Sequence, residues 1–188
     1  MPLPDPDVER LLRSLDAPAD REPHPAMLSD DDLLAACEWT RSRDGGPGGQ
    51  NRNKVETVVT IVHTPTGISA KAGERRSVRE NRPVALRRLR LALATQHRVG
   101  VPSGDCRSEL WRERVKKGKI ILSTKHRDFP AMLAEALDVI HASGSDMKTA
   151  ATRLDTTPSQ LIKLVKEHPP AWSALNEARR AKGLHALR

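Results

Sequence analysis

The sequence predicts an α+β protein: a small mixed sheet with one main packed helix and an extended Gly-Gly-Gln loop, followed by a helical C-terminal region. Three observations predict it. A segment rich in Val, Thr and Ile, Val55–His63, leads through a Pro-Thr-Gly turn into a returning segment, Ile68–Ala72. A segment with a helix-start signature and an apolar stripe runs from Ser77 to Gln96. From Pro130 onward the apolar periodicity is helical.

Residues 1–28 hold six prolines and read as an acidic, disordered arm with a short helix near Asp7–Leu15. Ser29 followed by three aspartates predicts a brief helix over Asp30–Ala36, with Ser29 as N-cap and acid at the positive helix end. Cys37, Trp39 and Arg41 alternate with polar neighbours, as in a strand. Val55–His63 is the next strand. Thr64-Pro65-Thr66-Gly67 carries Pro at the second position and Gly at the fourth, a type I turn signature, and Ile68–Ala72 returns as a hairpin. Ser77 and Glu80 match a capping box. The helix they open presents Ala85, Leu86, Leu89, Ala92, Leu93 and Gln96 on one face, with its regular part delayed by Pro83. Arg87, Arg88 and Arg90 then face solvent or a phosphate backbone. Residues 98–109 are a loop, and Lys119–Ser123 is the last strand, preceded by the basic run Arg112, Arg114, Lys116 and Lys117.

The C-terminal part has a helical stripe of Met132, Leu133, Ala136, Leu137 and Ile140, ended by Gly144. A short helix over Asp146–Leu154 follows. Thr157-Pro158-Ser159-Gln160 combines a Thr cap, Pro at the first position and Gln at the third, opening a helix over Pro158–Glu167. Pro169 and Pro170 stop it, and Ala171–Arg188 can form a fourth helix. The domain reading is an arm over 1–28, an α+β domain over 29–127 and a small helical region over 128–188.

Composition narrows the function classes. Residues 1–40 carry 3 basic and 10 acidic side chains, residues 41–127 carry 21 and 7, and residues 128–188 carry 8 and 7. The middle segment is the electrostatic footprint of a nucleic-acid partner. No apolar run is long enough for a membrane span, so no membrane partner is expected. Cys37 and Cys106 form no CxxC pair and read as reduced thiols of a cytoplasmic protein. The seven histidines have no metal-ligand spacing, so neither metal nor other cofactor is expected.

Residues 45–50 read Gly-Gly-Pro-Gly-Gly-Gln. Four glycines and a proline in six positions exclude a helix or strand interior and allow close approach to another molecule. Gln50 supplies an amide at the loop end, and Asn51, Arg52, Asn53 and Lys54 supply a polar, cationic flank. This pattern suits a polyanionic cavity. The stretch RDGGPGGQNRNKVETVVTIVHTPTG, Arg43 to Gly67, resembles the catalytic domain of class I peptide chain release factors. The likeness rests on Gly48-Gly49-Gln50, on Asn53-Lys54 and on the His63-x-Pro65-Thr66-Gly67 strand end, and covers roughly residues 33–125.

The resemblance implies ribosome-dependent hydrolysis of the ester joining a nascent peptide to tRNA. It casts Gly48, Gly49 and Gln50 as the catalytic tip. The main-chain N–H of Gln50 would stabilise the transition state while its side chain positions water and excludes bulkier nucleophiles. The expected partners are the large-subunit peptidyl transferase centre with its ribosomal RNA, and peptidyl-tRNA; a monomer is expected. Arg43, Arg52, Asn53, Lys54, Arg75, Arg76, Arg79, Arg87 and Arg88 are the candidate RNA contacts. Two positions depart from the family pattern: Arg52 replaces an apolar residue, and Asp44-Gly45 replaces a small Ser or Ala. The Pro-x-Thr and Ser-Pro-Phe tripeptides that read stop codons do not occur. The chain is therefore similar to the short, codon-independent rescue hydrolases, although its C-terminal part is nearly neutral where theirs is a basic tail. The alternative is a ribosome- or nucleic-acid-binding regulator that uses Met147–Lys166 as a helix-turn-helix-like unit.

Overall fold

A serine ahead of three aspartates starts the first helix of the structure, a computed structural model that describes residues 23–43 and 56–188. Helix α1 (Asp30–Ala35) begins where the Ser29 hydroxyl accepts from the Asp32 amide at 3.1 Å. Three strands follow: β1 (Cys37–Ser42), β2 (Val58–His63) and β3 (Ser69–Ala72), in the order β1-β2-β3. Both pairings are antiparallel. Strand β2 lies in the middle with Val58, Val59 and Ile61 buried, whereas β1 is an exposed edge. At the β2–β3 turn, the amides of Thr66 and Gly67 both donate to the His63 carbonyl, and Gly67 has φ of 69°. The His63 ring meets the Thr66 hydroxyl at 2.8 Å, a structural role for this histidine.

Helix α2 (Val78–Gln96) packs on β2 and β3. The Ser77 hydroxyl accepts from the Glu80 amide at 3.2 Å and donates to the Glu80 carboxylate at 2.7 Å. Pro83 lies inside the helix and does not delay it. The buried face is Asn81, Ala85, Leu86, Leu89, Leu93 and Ala94; Gln96 is exposed. At the far end the Arg98 guanidinium donates to the carbonyls of Ala94 and Thr95 at 2.7 and 2.6 Å, and also to that of His97, covering the negative helix terminus.

Helix α3 (Glu109–Arg114) follows, capped by Ser108. It leads into a hairpin of β4 (Val115–Lys116) and β5 (Lys119–Ile120). The C-terminal part comprises α4 (Phe129–Ala142), α5 (Met147–Arg153), α6 (Pro158–Lys166) and α7 (Pro169–Ala181). Every residue from Phe129 to Ile140 is buried, so α4 is a central helix enclosed on all sides. Its two carboxylates are held from the neighbouring loop. Glu135 accepts from the Ser108 amide and hydroxyl at 2.7 and 2.5 Å, and Asp138 accepts from the Val99 amide at 3.3 Å. The Trp111 indole donates to the Leu154 carbonyl at 2.8 Å. Among the described residues one apolar cluster runs from Leu33 and Ile61 through Leu89 and Met132 to Leu161 and Leu175.

The α+β class holds, with three corrections to the expectations. The sheet is antiparallel throughout rather than mixed, because residues 119–120 fold back on 115–116 and do not join it. Lys117 and Gly118, at φ of 51° and 74°, form the two-residue turn that causes this. Residues 23–28, expected within the disordered arm, pack on the fold: His24 and Ala26 are buried, the Ala26 amide donates to the His24 ring at 3.0 Å, and Arg90 donates to the Ala26 carbonyl at 2.9 Å. Pro169 and Pro170 open α7 instead of only ending α6, since the first turn of a helix needs no proline N–H. Residues 1–22 and 44–55, which include the expected short N-terminal helix and the Gly-Gly-Gln loop, lie outside the described residues.

Candidate functional site

The segment with the strongest chemical signature, Gly48-Gly49-Gln50, lies outside the described residues, as do Arg52, Asn53 and Lys54. The structure does describe the platform on which that segment is mounted. Its two ends are Arg43, which follows β1, and Glu56 and Thr57, which precede β2. The Arg43 guanidinium and the Glu56 carboxylate face one another at 3.6 Å across the loop base, both well exposed.

Beneath this base sits Asn81, fully buried in the first turns of α2. Its side-chain amide donates to the Thr57 carbonyl at 2.7 Å and to the Arg75 carbonyl at 3.0 Å. Its oxygen accepts from the Arg75 amide at 2.9 Å. Two carbonyls and one N–H define the orientation of the amide, since the flipped rotamer would set oxygen against oxygen. Asn81 therefore joins three segments: the loop's return strand, the Gly73–Ser77 connection and α2. Gly73 completes the joint. A Cβ there would stand 2.7 Å from Val58 Cγ2, so the connection passes β2 only as glycine. The helix that carries Asn81 was legible in the sequence, but its carbonyl partner is 24 residues away. An Asn on the otherwise apolar face of α2 was the available signal.

The predicted arginines divide into two groups. Arg75 and Arg76, before α2, and Arg79, in its first turn, are exposed near this joint. Arg41 on β1 and Arg82 on α2 join them: their guanidinium carbons lie 5.6 and 5.5 Å from the centroid of the Trp39 ring. None of these five arginines has an ion-pair partner among the described residues. Arg87 and Arg88 lie further along α2 and are engaged within the protein. Arg87 donates to the carbonyls of Thr124 and His126, and Arg88 to the Lys71 carbonyl at 2.8 Å and the Glu74 carboxylate at 2.7 Å. Backbone amides, its own and that of Gly73, hold the Glu74 carboxyl below its usual range, with Arg88 adding to the effect.

The α5–α6 pair resembles a helix-turn-helix in outline, but the opening turn of α6 is occupied. The Gln160 side chain accepts from the Ile120 amide at 3.1 Å, and the Thr156 hydroxyl donates to the Gly118 carbonyl at 2.7 Å. A DNA-reading helix presents this end to base edges; here it seats the β4–β5 hairpin. Among the described residues there is no cluster of metal-ligating side chains, and no helix is long and apolar enough to cross a membrane.

The family model of the RF-1 domain matches residues 33–128, which span β1, the loop, the Asn81 joint and the exposed arginines. The chain is 39% identical over 131 residues to peptide chain release factor 1 of Chloroherpeton thalassium, covering 67% of this chain and 34% of that protein. It is 38% identical over 81 residues to the chloroplastic peptide chain release factor PrfB1 of Arabidopsis thaliana, covering 40% and 18%. It is 42% identical over 55 residues to the mitochondrial peptide chain release factor 1-like protein of Mus musculus, covering 29% and 15%. The chain thus spans about a third or less of the length of these curated relatives. No solved structure matches it significantly.

Proposed function

Because the chain belongs to the RF-1 domain family, we propose that it hydrolyses the ester of peptidyl-tRNA on the ribosome, without reading a stop codon. The carrying observation is the ordered set Gly48-Gly49-Gln50, Asn53-Lys54 and His63-x-Pro65-Thr66-Gly67 within the family-matched span. The fixed platform supports the reading. Asn81 and Gly73 hold both the return strand and α2, so a loop mounted there has a defined root. The five arginines around that root give it a positive field suited to RNA.

Gln50 acts at the ester. Its main-chain N–H meets the negative charge that develops on the carbonyl oxygen, a donor of the kind typically worth ~2.7–4 kcal/mol. Its side chain orients the attacking water, which adds a positioning gain. Gly48 and Gly49 let the backbone approach a buried carbonyl. The partners are the peptidyl transferase centre of the large subunit and peptidyl-tRNA, met by the chain as a monomer. The setting proposed for this hydrolysis is the rescue of stalled ribosomes.

The test is release of labelled peptide from ribosomes carrying a truncated message, a sense codon or a stop codon. Release on the truncated message is expected, and Gln50→Ala should abolish it while ribosome binding persists. Release on the stop codon alone would refute the rescue reading, and full activity of Gln50→Ala would refute the hydrolase.

A further inference from the structure

Among the described residues, Trp39 is one of three large apolar side chains left exposed, at 42% of its surface. It lies on edge strand β1 opposite Ile61, which is fully buried. Cys37, Trp39 and Arg41 share a sheet face by strand alternation, and Arg82 reaches the same ring from α2. Two guanidinium groups therefore crowd one indole. Each gains from the ring's quadrupole, but the two cations repel one another. No carboxylate of the described residues lies within ion-pair distance of either. Elsewhere on the surface such tension is relieved within the protein. Arg107 and Arg112 share Asp105, whose carboxyl they hold far below its ordinary range, and Arg114 takes Asp128 at 2.6 Å. At Trp39 no carboxylate of the described residues does this, which leaves the two guanidinium groups able to take an anion from a partner.

We infer that Trp39, flanked by Arg41 and Arg82, is a stacking platform for an unpaired base of ribosomal RNA, with the neighbouring phosphates taken by these arginines and by Arg79. The chemistry selects that occupant. A base that takes the place of a guanidinium over the exposed indole gains its π surface, and the displaced arginine supplies charge to the backbone of that base. An acidic peptide would use the charge and leave the ring unused. A paired helix would offer phosphate but no free base face. The platform is continuous with the loop root, since Ser42 and Arg43 follow Arg41 directly and Arg82 adjoins Asn81. The inference rests on the proposed function only in naming the RNA as ribosomal; the platform itself rests on the geometry of β1 and α2.

The experiment uses the full chain and vacant ribosomes, with affinity measured across a salt series and the ribosomal RNA bases probed chemically. Trp39→Leu keeps an apolar side chain but removes the π face. It should weaken binding about tenfold, the size of one lost base stack, abolish protection of a discrete unpaired base and leave the salt slope unchanged. Trp39→Phe should restore the protection. Arg79→Gln should reduce the salt slope and spare the protected base. A thermal melt of Trp39→Leu matching the parent confirms that the fold is intact. Binding of Trp39→Leu within twofold of the parent, or protection that survives it, would overturn the platform. So would an equal loss of affinity for inorganic polyphosphate, which has no bases, or for an acidic peptide, when Trp39 is replaced by Leu. Peptide release is scored separately at saturating protein. Loss of release with protection intact counts against the hydrolase and leaves the platform standing.

Discussion

Asn81 and Gly73 make the loop root a single joint, and each is sensitive to the smallest change. Asn81→Ala would leave the Thr57 and Arg75 carbonyls and the Arg75 amide without their partner. An orphaned buried group costs ~1–3 kcal/mol, so a loss of at least that size is expected in chemical denaturation. On the proposed function, peptide release should fall beyond what the lost stability explains, because the Thr57 carbonyl at the loop root loses its side-chain anchor. Gly73→Ala drives a Cβ against Val58, which is buried and β-branched and cannot swing aside. Overpacking of this kind costs ~1–3 kcal/mol. The same denaturation series should place it near Asn81→Ala, while Gly104→Ala, whose Cβ would meet nothing within 4 Å, serves as the neutral control. Gly73 could not be singled out from the sequence, and Asn81 only as a polar residue on an apolar helix face. A glycine next to a strand and an asparagine in a helix have many uses, and only the approach of β2 to the 73–77 connection selects one.

The elements themselves were largely legible, because their signals are local. Ser29, Ser77 and Thr157 each cap the helix that follows, and Gly67 and Gly144 take the positive φ that their turns need. The failures have a common origin. Helix α3 was missed because six residues give too little periodicity, and its basic residues read as a surface run. The 119–123 strand shortened to two residues because a turn at Lys117-Gly118 fixed its partner locally. At this scale the strand-end His63 also makes stability depend on pH. Burial pushes its pKa below the ordinary value, and His97 pushes the same way. The unfolded chain therefore binds a proton first as pH falls. The His63 contribution is complete above about pH 6.5 and declines below it toward the folded value. Replacing His63 by Asn should lower the melting temperature at about pH 7.5 yet reduce the further loss between about pH 7.5 and about pH 5.5. An unchanged slope across that window would exclude His63 as the titrating group.

At the scale of the whole molecule, α4 is the hub. It packs against α2 on one side and against α5 and α6 on the other, and both its carboxylates are satisfied from outside the helix. The sheet half and the helical half should accordingly unfold together. Leu133→Ala, at a fully buried position, should cost ~2–5 kcal/mol and lower the protection of β2 and α5 amides equally in hydrogen exchange. Selective loss in α5 alone would show two separable units. The sequence by itself determined the class of elements, their caps and turns, the basic middle segment and the Gly-Gly-Gln signature, because each is written in neighbouring residues. Tertiary structure alone decided the rest. It turned an apolar stripe into a helix buried on every side, since that depends on how many neighbours arrive. It also sorted the arginines, spending Arg87, Arg88 and Arg90 on internal carbonyls and carboxylates and leaving Arg41, Arg75, Arg76, Arg79 and Arg82 around Trp39 and the loop root. A guanidinium has the same charge wherever it stands, and only the groups within its reach decide whether that charge holds the fold or meets a partner.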